Sequence, residues 1–506
     1  GFDVKNASKL GPLARAAWAA LVTAALFACA PVEQGEAPSS LAEPPFAVGN
    51  TTLFIHDPSR GFDEAAGVAT GLRILITEIW YPVRHGAMGT SLRRAVHGDY
   101  VFGDRTVHEL MMTQTTFFHL TPDTVVEGVS QSGINAAIEE LFSRPRNSYT
   151  DAPIAAEAGP FPVVVMSHGD AGSRYNMETV CEHLAANGYV VIAPEHTGNS
   201  PFSMTGRDPA LEAGGSSGLD PLRLAEVVGL LDDRGVYGSP DNYGQSYTPL
   251  GADRSSPAFL QGLDAALLQR VGDLRATLDE LQRLNQAGFF ENALDLERIG
   301  LMGRSFGGAT TLAALALEPR FTAGMAVAAP SSPDLRALVP VEALAPQDVE
   351  SVVLSRDGPY GLGEIRKPTL LLSGAEDTLI IGLAARMAEA AGSPAPTPAN
   401  PFPVLRQAFE KADAAAIWAL LDNANHATFG VSGAYWWPHL KPNRFPRHFD
   451  PDTEYELVDA GLAHRIQQDK ALAFFDLWIR QEATARDRLI DDRYQADGLR
   501  LEWRNL

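Results

Sequence analysis

Between Asn50 and Leu421 the chain alternates short, nearly unbroken apolar runs with longer stretches in which apolar residues return every three or four positions. Asn50–His56 and Arg73–Tyr81 (RILITEIWY) read as strands, with period-two or continuous apolar character, and Pro82 ends the second. Phe161–Met166 (FPVVVM) is apolar throughout, as suits a strand buried on both faces of a parallel sheet. Tyr189–Ala193, Ile299–Met302, Ala323–Ala329, Pro368–Leu372 and Ala415–Leu421 are further short runs of this kind. Helical spacing lies between and beyond them. It marks Met177–Asn187, a long helix with the stripe Leu263, Leu267, Val271, Leu274, Leu278 and Leu281, an Ala/Leu-rich segment after Ser305, and a C-terminal helix over Leu462–Arg480. Strand–helix–strand alternation predicts βαβ units, hence an α/β protein with a mostly parallel central sheet flanked by helices.

Two stretches break the rhythm. From about Gly86 to Pro160 the strand pattern stops. Asp104 is positioned to cap a helix carrying Val107, Leu110, Met111 and Phe118, and Gly133–Phe142 repeats that spacing. Residues 86–160 are therefore expected to form a helical cap inserted over the sheet edge, its apolar faces packing on the core or touching substrate. Residues 201–257, rich in Gly, Pro, Ser and Asp with one helical island at Leu222–Leu231, are expected as a second insertion in a domain spanning 46–506.

The front of the chain has a different character. Lys5, Lys9 and Arg15 precede a short apolar run, Ala16–Ala28, with the length of a signal-peptide core rather than of a membrane span. Leu26-Phe27-Ala28-Cys29 resembles a bacterial lipobox, which implies cleavage after residue 28 and a membrane tether through a lipidated Cys29; ordinary cleavage nearby is the alternative. Residues 29–45 are then expected to form a flexible tether. The expected destination is export, as a periplasmic or outer-membrane lipoprotein or in secreted form. Of the two cysteines, Cys181 sits on an apolar helical face and reads as a small buried residue without a catalytic role. A net charge of −22 argues against sequence-independent nucleic-acid binding, which needs a basic surface.

The chemistry centres on Gly303-Arg304-Ser305-Phe306-Gly307, a G-x-S-x-G pattern between an apolar run and a helix. Such a turn strains its central residue and needs small neighbours two positions away, and it lifts the serine hydroxyl to the strand's C-terminal edge. A serine hydroxyl needs a base within hydrogen-bond reach, and the base needs an orienting group. Two later strands run into Ser373-Gly374-Ala375-Glu376-Asp377 and Asp422-Asn423-Ala424-Asn425-His426, which gives the order Ser305, Asp377, His426, with Glu376 as the rival acid. For the oxyanion, the backbone N–H groups of Phe306 and Asp170 are expected as donors, with the Asp170 carboxylate turned away or paired by Arg174. His168 reads as a structural hydrogen-bonder.

Ser167-His168-Gly169 with Gly172-Ser173-Arg174, then Pro194-Glu195-His196, then Gly303–Thr310 resemble the platelet-activating-factor acetylhydrolase-like and dienelactone-hydrolase-like carboxylesterases. Asp57-Pro58-Ser59-Arg60 and Trp80-Tyr81-Pro82 belong to the same likeness, which covers roughly 46–429. It implies an α/β-hydrolase fold and cleavage of carboxylic esters without cofactor or metal. Two departures stand out. The acetylhydrolases place their acid directly after the strand following the nucleophile, where this chain has Ala328-Ala329-Pro330, so the acid moves one strand on, to Asp377. The elbow also carries Arg304 where histidine is common, a side chain expected to face away from catalysis.

The leading expectation is a serine carboxylesterase with an apolar acyl site, its substrates extending by resemblance to polyesters. Met111, Met112, Phe117, Phe118, Phe429, Tyr435, Trp436 and Trp437 are the candidates for lining that site. The alternatives are a lipase or phospholipase A-type enzyme acting on lipid esters and a non-catalytic lipid-binding surface protein.

Overall fold

A computed structural model describes residues 43–67, 69, 71–87, 91–101, 131–170, 172–200, 257–334, 336–356, 362–431 and 444–506. The expected signal, the helix from Asp104, all but the last residue of the expected 201–257 insertion and the aromatics at 435–437 lie outside them.

The strands are β1 Ala47–Asp57, β2 Arg73–Val83, β3 Arg94–Val96, β4 Pro145–Thr150, β5 Phe161–Ser167, β6 Val190–Pro194, β7 Leu294–Arg304, β8 Phe321–Val327, β9 Thr369–Gly374, β10 Ala416–Leu421, β11 Arg444–Pro446, β12 Glu454–Glu456 and β13 Leu499–Arg504. Among the described residues the α-helices are α1 Gln131–Ser143, α2 Glu178–Ala186, α3 Pro257–Ala287, α4 Phe306–Leu317, α5 Thr378–Ala391, α6 Pro403–Glu410, α7 Ala460–Trp478 and α8 Ala485–Ile490.

All strands except β11 and β12 form one sheet, in the order β13-β10-β9-β8-β7-β5-β6-β2-β1-β4-β3. Its centre, β6 through β10, is parallel, and antiparallel β2 and β13 flank it. Side chains alternate between two cores. Val163 and Val165 of β5 pack with α3, α4, α5 and α6 on one face. Val164 and Met166 pack with α2 and α7 on the other. Burial on both faces is why these strands read as unbroken apolar runs.

From β5 the chain moves outward to β6 in one direction, and β7 through β10 build the sheet in the other. The loops leaving β5 and β7 therefore diverge from neighbouring strands, with Ser167 in register with Gly303. That reversal opens a crevice at the carboxyl ends of the strands, where ligands bind in open α/β sheets.

The stretch from 86 to 160, expected to lack strands, contributes β3 and β4 to the sheet's edge. β4 runs parallel to β1 and antiparallel to β3. Its buried positions are Arg146 and Ser148, so it carries no apolar signature. The expected helix at 133–142 is α1.

Candidate active site

At the end of β7 the backbone turns sharply through Ser305, whose φ of 57° and ψ of −123° place a non-glycine residue in a strained region. The turn tolerates almost no bulk. A Cβ on Gly303 would come within 2.2 Å of the Gly307 carbonyl, and one on Gly307 within 2.0 Å of the Ser167 carbonyl. Both glycines of the pattern are thus required by close contact. The helix α4 begins at Phe306, so its positive end faces the Ser305 hydroxyl.

His426 lies on the loop after β10, with Nε2 3.0 Å from Ser305 Oγ and Nδ1 2.8 Å from Asp377 Oδ2. Asp377 follows β9 and caps α5, its Oδ1 accepting from the Ile380 N–H at 3.0 Å. One carboxylate oxygen thus fixes the helix and the other holds the imidazole. Glu376 is directed elsewhere: it accepts from the Arg447 side chain and from the His448 N–H at 3.0 Å. Arg304 passes beneath this loop and donates to the His426 carbonyl. His464 supports it as well, with Nε2 3.0 Å from the Thr428 carbonyl.

The loop after β5 runs against the serine. An ideal Cβ on Gly169 would sit 3.2 Å from Ser305 Cβ and 3.7 Å from its Oγ, so the His168-Gly169-Asp170 backbone approaches the hydroxyl directly. Both ring nitrogens of His168 meet backbone groups: Nε2 accepts from the His196 N–H and Nδ1 meets the Gly169 carbonyl. Burial, with Arg270 nearby, pushes its pKa well below the usual histidine value. The Asp170 carboxylate, expected to be turned away or paired, is paired, and by Asn199. Asp170 Oδ1 accepts from Asn199 Nδ2 at 2.6 Å, whereas Arg174 is drawn to Glu78 and Glu195.

A second serine–histidine–aspartate chain lies behind this loop. His196 meets Ser167 Oγ at 2.8 Å through Nε2 and Asp273 Oδ2 at 2.9 Å through Nδ1. With Nδ1–H donating to the carboxylate, Nε2 accepts from the Ser167 hydroxyl. None of the three side chains reaches solvent. Burial, then the Arg270 charge, pulls the His196 pKa down to about 3, which deprives it of basicity in the neutral range. Asp273 is tied further to Arg73, at 2.6 Å, and to Arg60, at 2.7 Å, and Arg60 pairs in turn with Asp57. The Asp57–Arg60 segment therefore clamps the β1–β2 hairpin onto α3.

Of the residues expected to line an acyl site, Met111, Phe117, Phe118, Trp436 and Trp437 fall outside the described residues. Phe429 is placed in the core with Met302 and Leu372, wholly without solvent exposure, and not on an open surface. Asp273 and Arg270, central to the architecture behind Ser305, carry no motif that sequence reading singled out. An apolar hollow lined by Ala329, Ile380, Leu383, Phe402 and Leu405 lies between the loop after β8 and helices α5 and α6.

Comparison with known proteins agrees with this architecture. The family described as platelet-activating factor acetylhydrolase, isoform II, matches residues 124–213 and 272–333, which include the loop after β5 and Ser305 but neither Asp377 nor His426. A platelet-activating factor acetylhydrolase of Gallus gallus is 25% identical over 178 residues, 33% of this chain and 38% of that protein. A protein of Schizosaccharomyces pombe, provisionally named a phospholipase A2, is 40% identical over 70 residues, 14% of each chain. The matched segments thus span well under half of these relatives. The solved structure of a ferulic acid esterase from Streptomyces cinnamoneus aligns with a TM-score of 0.50 at 19% identity, over 88% of this chain and 93% of that one. The chain has the α/β-hydrolase fold, and in sequence it resembles platelet-activating factor acetylhydrolases over part of its length. The relatives it resembles are by name an acetylhydrolase, a phospholipase and an esterase.

Proposed function

We propose that this protein is a serine carboxylesterase. The observation that carries the reading is the continuous hydrogen-bonded path from Ser305 Oγ through His426 to Asp377, on a strained elbow at a helix N-terminus. In the reaction, Ser305 Oγ attacks the ester carbonyl while His426 Nε2 takes its proton. The developing oxyanion sits against the N–H groups of Phe306 and Asp170. His426 then returns the proton to the departing alkoxide, leaving an acyl-serine. Water, deprotonated by the same histidine, releases the acid and restores the hydroxyl. Asp377 holds the imidazole tautomer and stabilises the imidazolium.

A second reading, hydrolysis of lipid esters, is favoured by the acetylhydrolase and phospholipase names of the sequence relatives. Rates of the purified protein on p-nitrophenyl esters of increasing chain length, below and above micelle formation, separate the two. A carboxylesterase turns over short monomeric esters fastest, and an enzyme of lipid surfaces gains sharply once micelles form. A polyester film belongs in the same panel. Absence of turnover on every ester would sink both readings. For location, we propose export with lipidation at Cys29; labelled palmitate incorporated into the full chain but not into Cys29→Ser is the expected result, and equal labelling of both would refute it.

A further inference from the structure

We propose that Arg270, on α3, is a positioning residue that holds both halves of the oxyanion hole. The inference rests on the reading of Ser305 as an ester nucleophile. Arg270 is fully buried, and its guanidinium donates to the His168 carbonyl at 2.6 Å and the Gly169 carbonyl at 3.1 Å. A trans peptide is planar, with its C=O and N–H on opposite sides. Anchoring the Gly169 carbonyl on the α3 side therefore turns the Asp170 N–H the other way, and the Gly169 backbone borders Ser305, with an ideal Cβ on Gly169 3.7 Å from its Oγ.

The same guanidinium meets the other donor. Its Cζ lies 4.5 Å from the centroid of the Phe306 ring, a cation–π distance, and Phe306 supplies the N–H at the start of α4. One planar group thus spans the rear of both donors and fixes their separation. It is itself braced: Nε donates to Asn199 Oδ1 at 2.9 Å, and Asn199 Nδ2 holds the Asp170 carboxylate at 2.6 Å. That brace draws the carboxylate away from the place where negative charge develops. The buried chain Ser167–His196–Asp273 completes the rear wall, since Arg270 also donates to Ser167 Oγ at 3.3 Å and Asp273 lies one turn further along α3. This chain, its histidine uncharged and its aspartate paired with Arg73 and Arg60, is a scaffold for the loop.

Lysine keeps the charge but cannot bind two carbonyls in a fixed fork. Because loss of one oxyanion donor costs on the order of 10²–10³ in kcat, a loosened one should cost about 10¹–10². The test measures kcat and KM of Arg270→Lys, Arg270→Met and Asn199→Ala on a soluble p-nitrophenyl ester. It adds the inhibition constant of a trifluoromethyl ketone, whose adduct on Ser305 carries an oxyanion, and thermal melting as the check on folding. The expected result is a fall in kcat of about tenfold or more with KM within about threefold, matched by an equal loss of ketone affinity. Asn199→Ala, which leaves Arg270 in place, should move in the same direction by less, and it provides the reading if the arginine variants do not fold. Folded variants with unchanged kcat, or with lowered kcat and undiminished ketone affinity, would overturn the proposal. Ser305→Ala separates the two claims: if it keeps activity, the reading of Ser305 as the nucleophile fails, whereas an inactive Ser305→Ala beside unaffected Arg270 and Asn199 variants removes only the inference about Arg270.

Discussion

Asp377 Oδ2 lies 2.8 Å from His426 Nδ1, across the ends of β9 and β10, which are paired in parallel. The adjacent carboxylate, Glu376, faces the opposite way toward Arg447. Asp377→Asn should therefore lower kcat by roughly 10⁴ by favouring the wrong imidazole tautomer, while Glu376→Gln leaves kcat within about threefold. Steady-state kinetics of both variants decide the assignment; the reverse ranking would move the acid to Glu376.

Gly307 has no room for a methyl group, since a Cβ there would meet the Ser167 carbonyl at 2.0 Å. Gly307→Ala should displace the elbow from the oxyanion loop, cost about 1–3 kcal/mol of stability and lower kcat by at least about 10². Thermal melting and kinetics read the two effects separately. A variant with wild-type melting and turnover would show that the elbow is less tightly set than its contacts demand.

Glu182, on α2, is buried, and burial followed by the neighbouring Glu178 carboxylate pushes its pKa up to about 8 from an ordinary 4.5. The folded state thus keeps a proton that the unfolded chain gives up. Its contribution to stability is full below the ordinary glutamate value and is lost as pH rises through about 8. The melting temperature should fall from pH 5 to pH 9, and Glu182→Gln, which mimics the protonated form, should flatten that fall. Parallel pH profiles for the two proteins would exclude Glu182 as the source.

Sequence made the nucleophile's surroundings legible because β5, β7, β9 and β10 are buried on both faces and write themselves as apolar runs, with Ser305, Asp377 and His426 just past three of them. The edge was harder to see. β4 buries Arg146 and Ser148, so its pattern has no hydrophobic period. Arg270 and Asp273 were hidden for a similar reason: polar residues beside a leucine stripe read as solvent-facing, yet the loops after β5 and β6 cover that side of α3. Asp170 shows the limit of local reasoning. Arg174, four residues away, pairs with Glu78 and Glu195, while a partner of the Asp170 carboxylate, Asn199, arrives from the loop after β6.

The two serine–histidine–aspartate chains make one measurement especially direct. Ser305 sits on the strained elbow with His426, and Ser167 is buried against a histidine stripped of basicity. The folded protein would be treated with a fluorophosphonate, digested and mapped by mass spectrometry, alongside Ser305→Ala, for which kcat should fall by roughly 10⁴–10⁶ with the fold intact. The expected result is stoichiometric labelling of Ser305, loss of activity in step with labelling, and none in the variant. No adduct on Ser305, or activity retained by Ser305→Ala above about a tenth of the wild type, would contradict the assignment of Ser305 as the nucleophile.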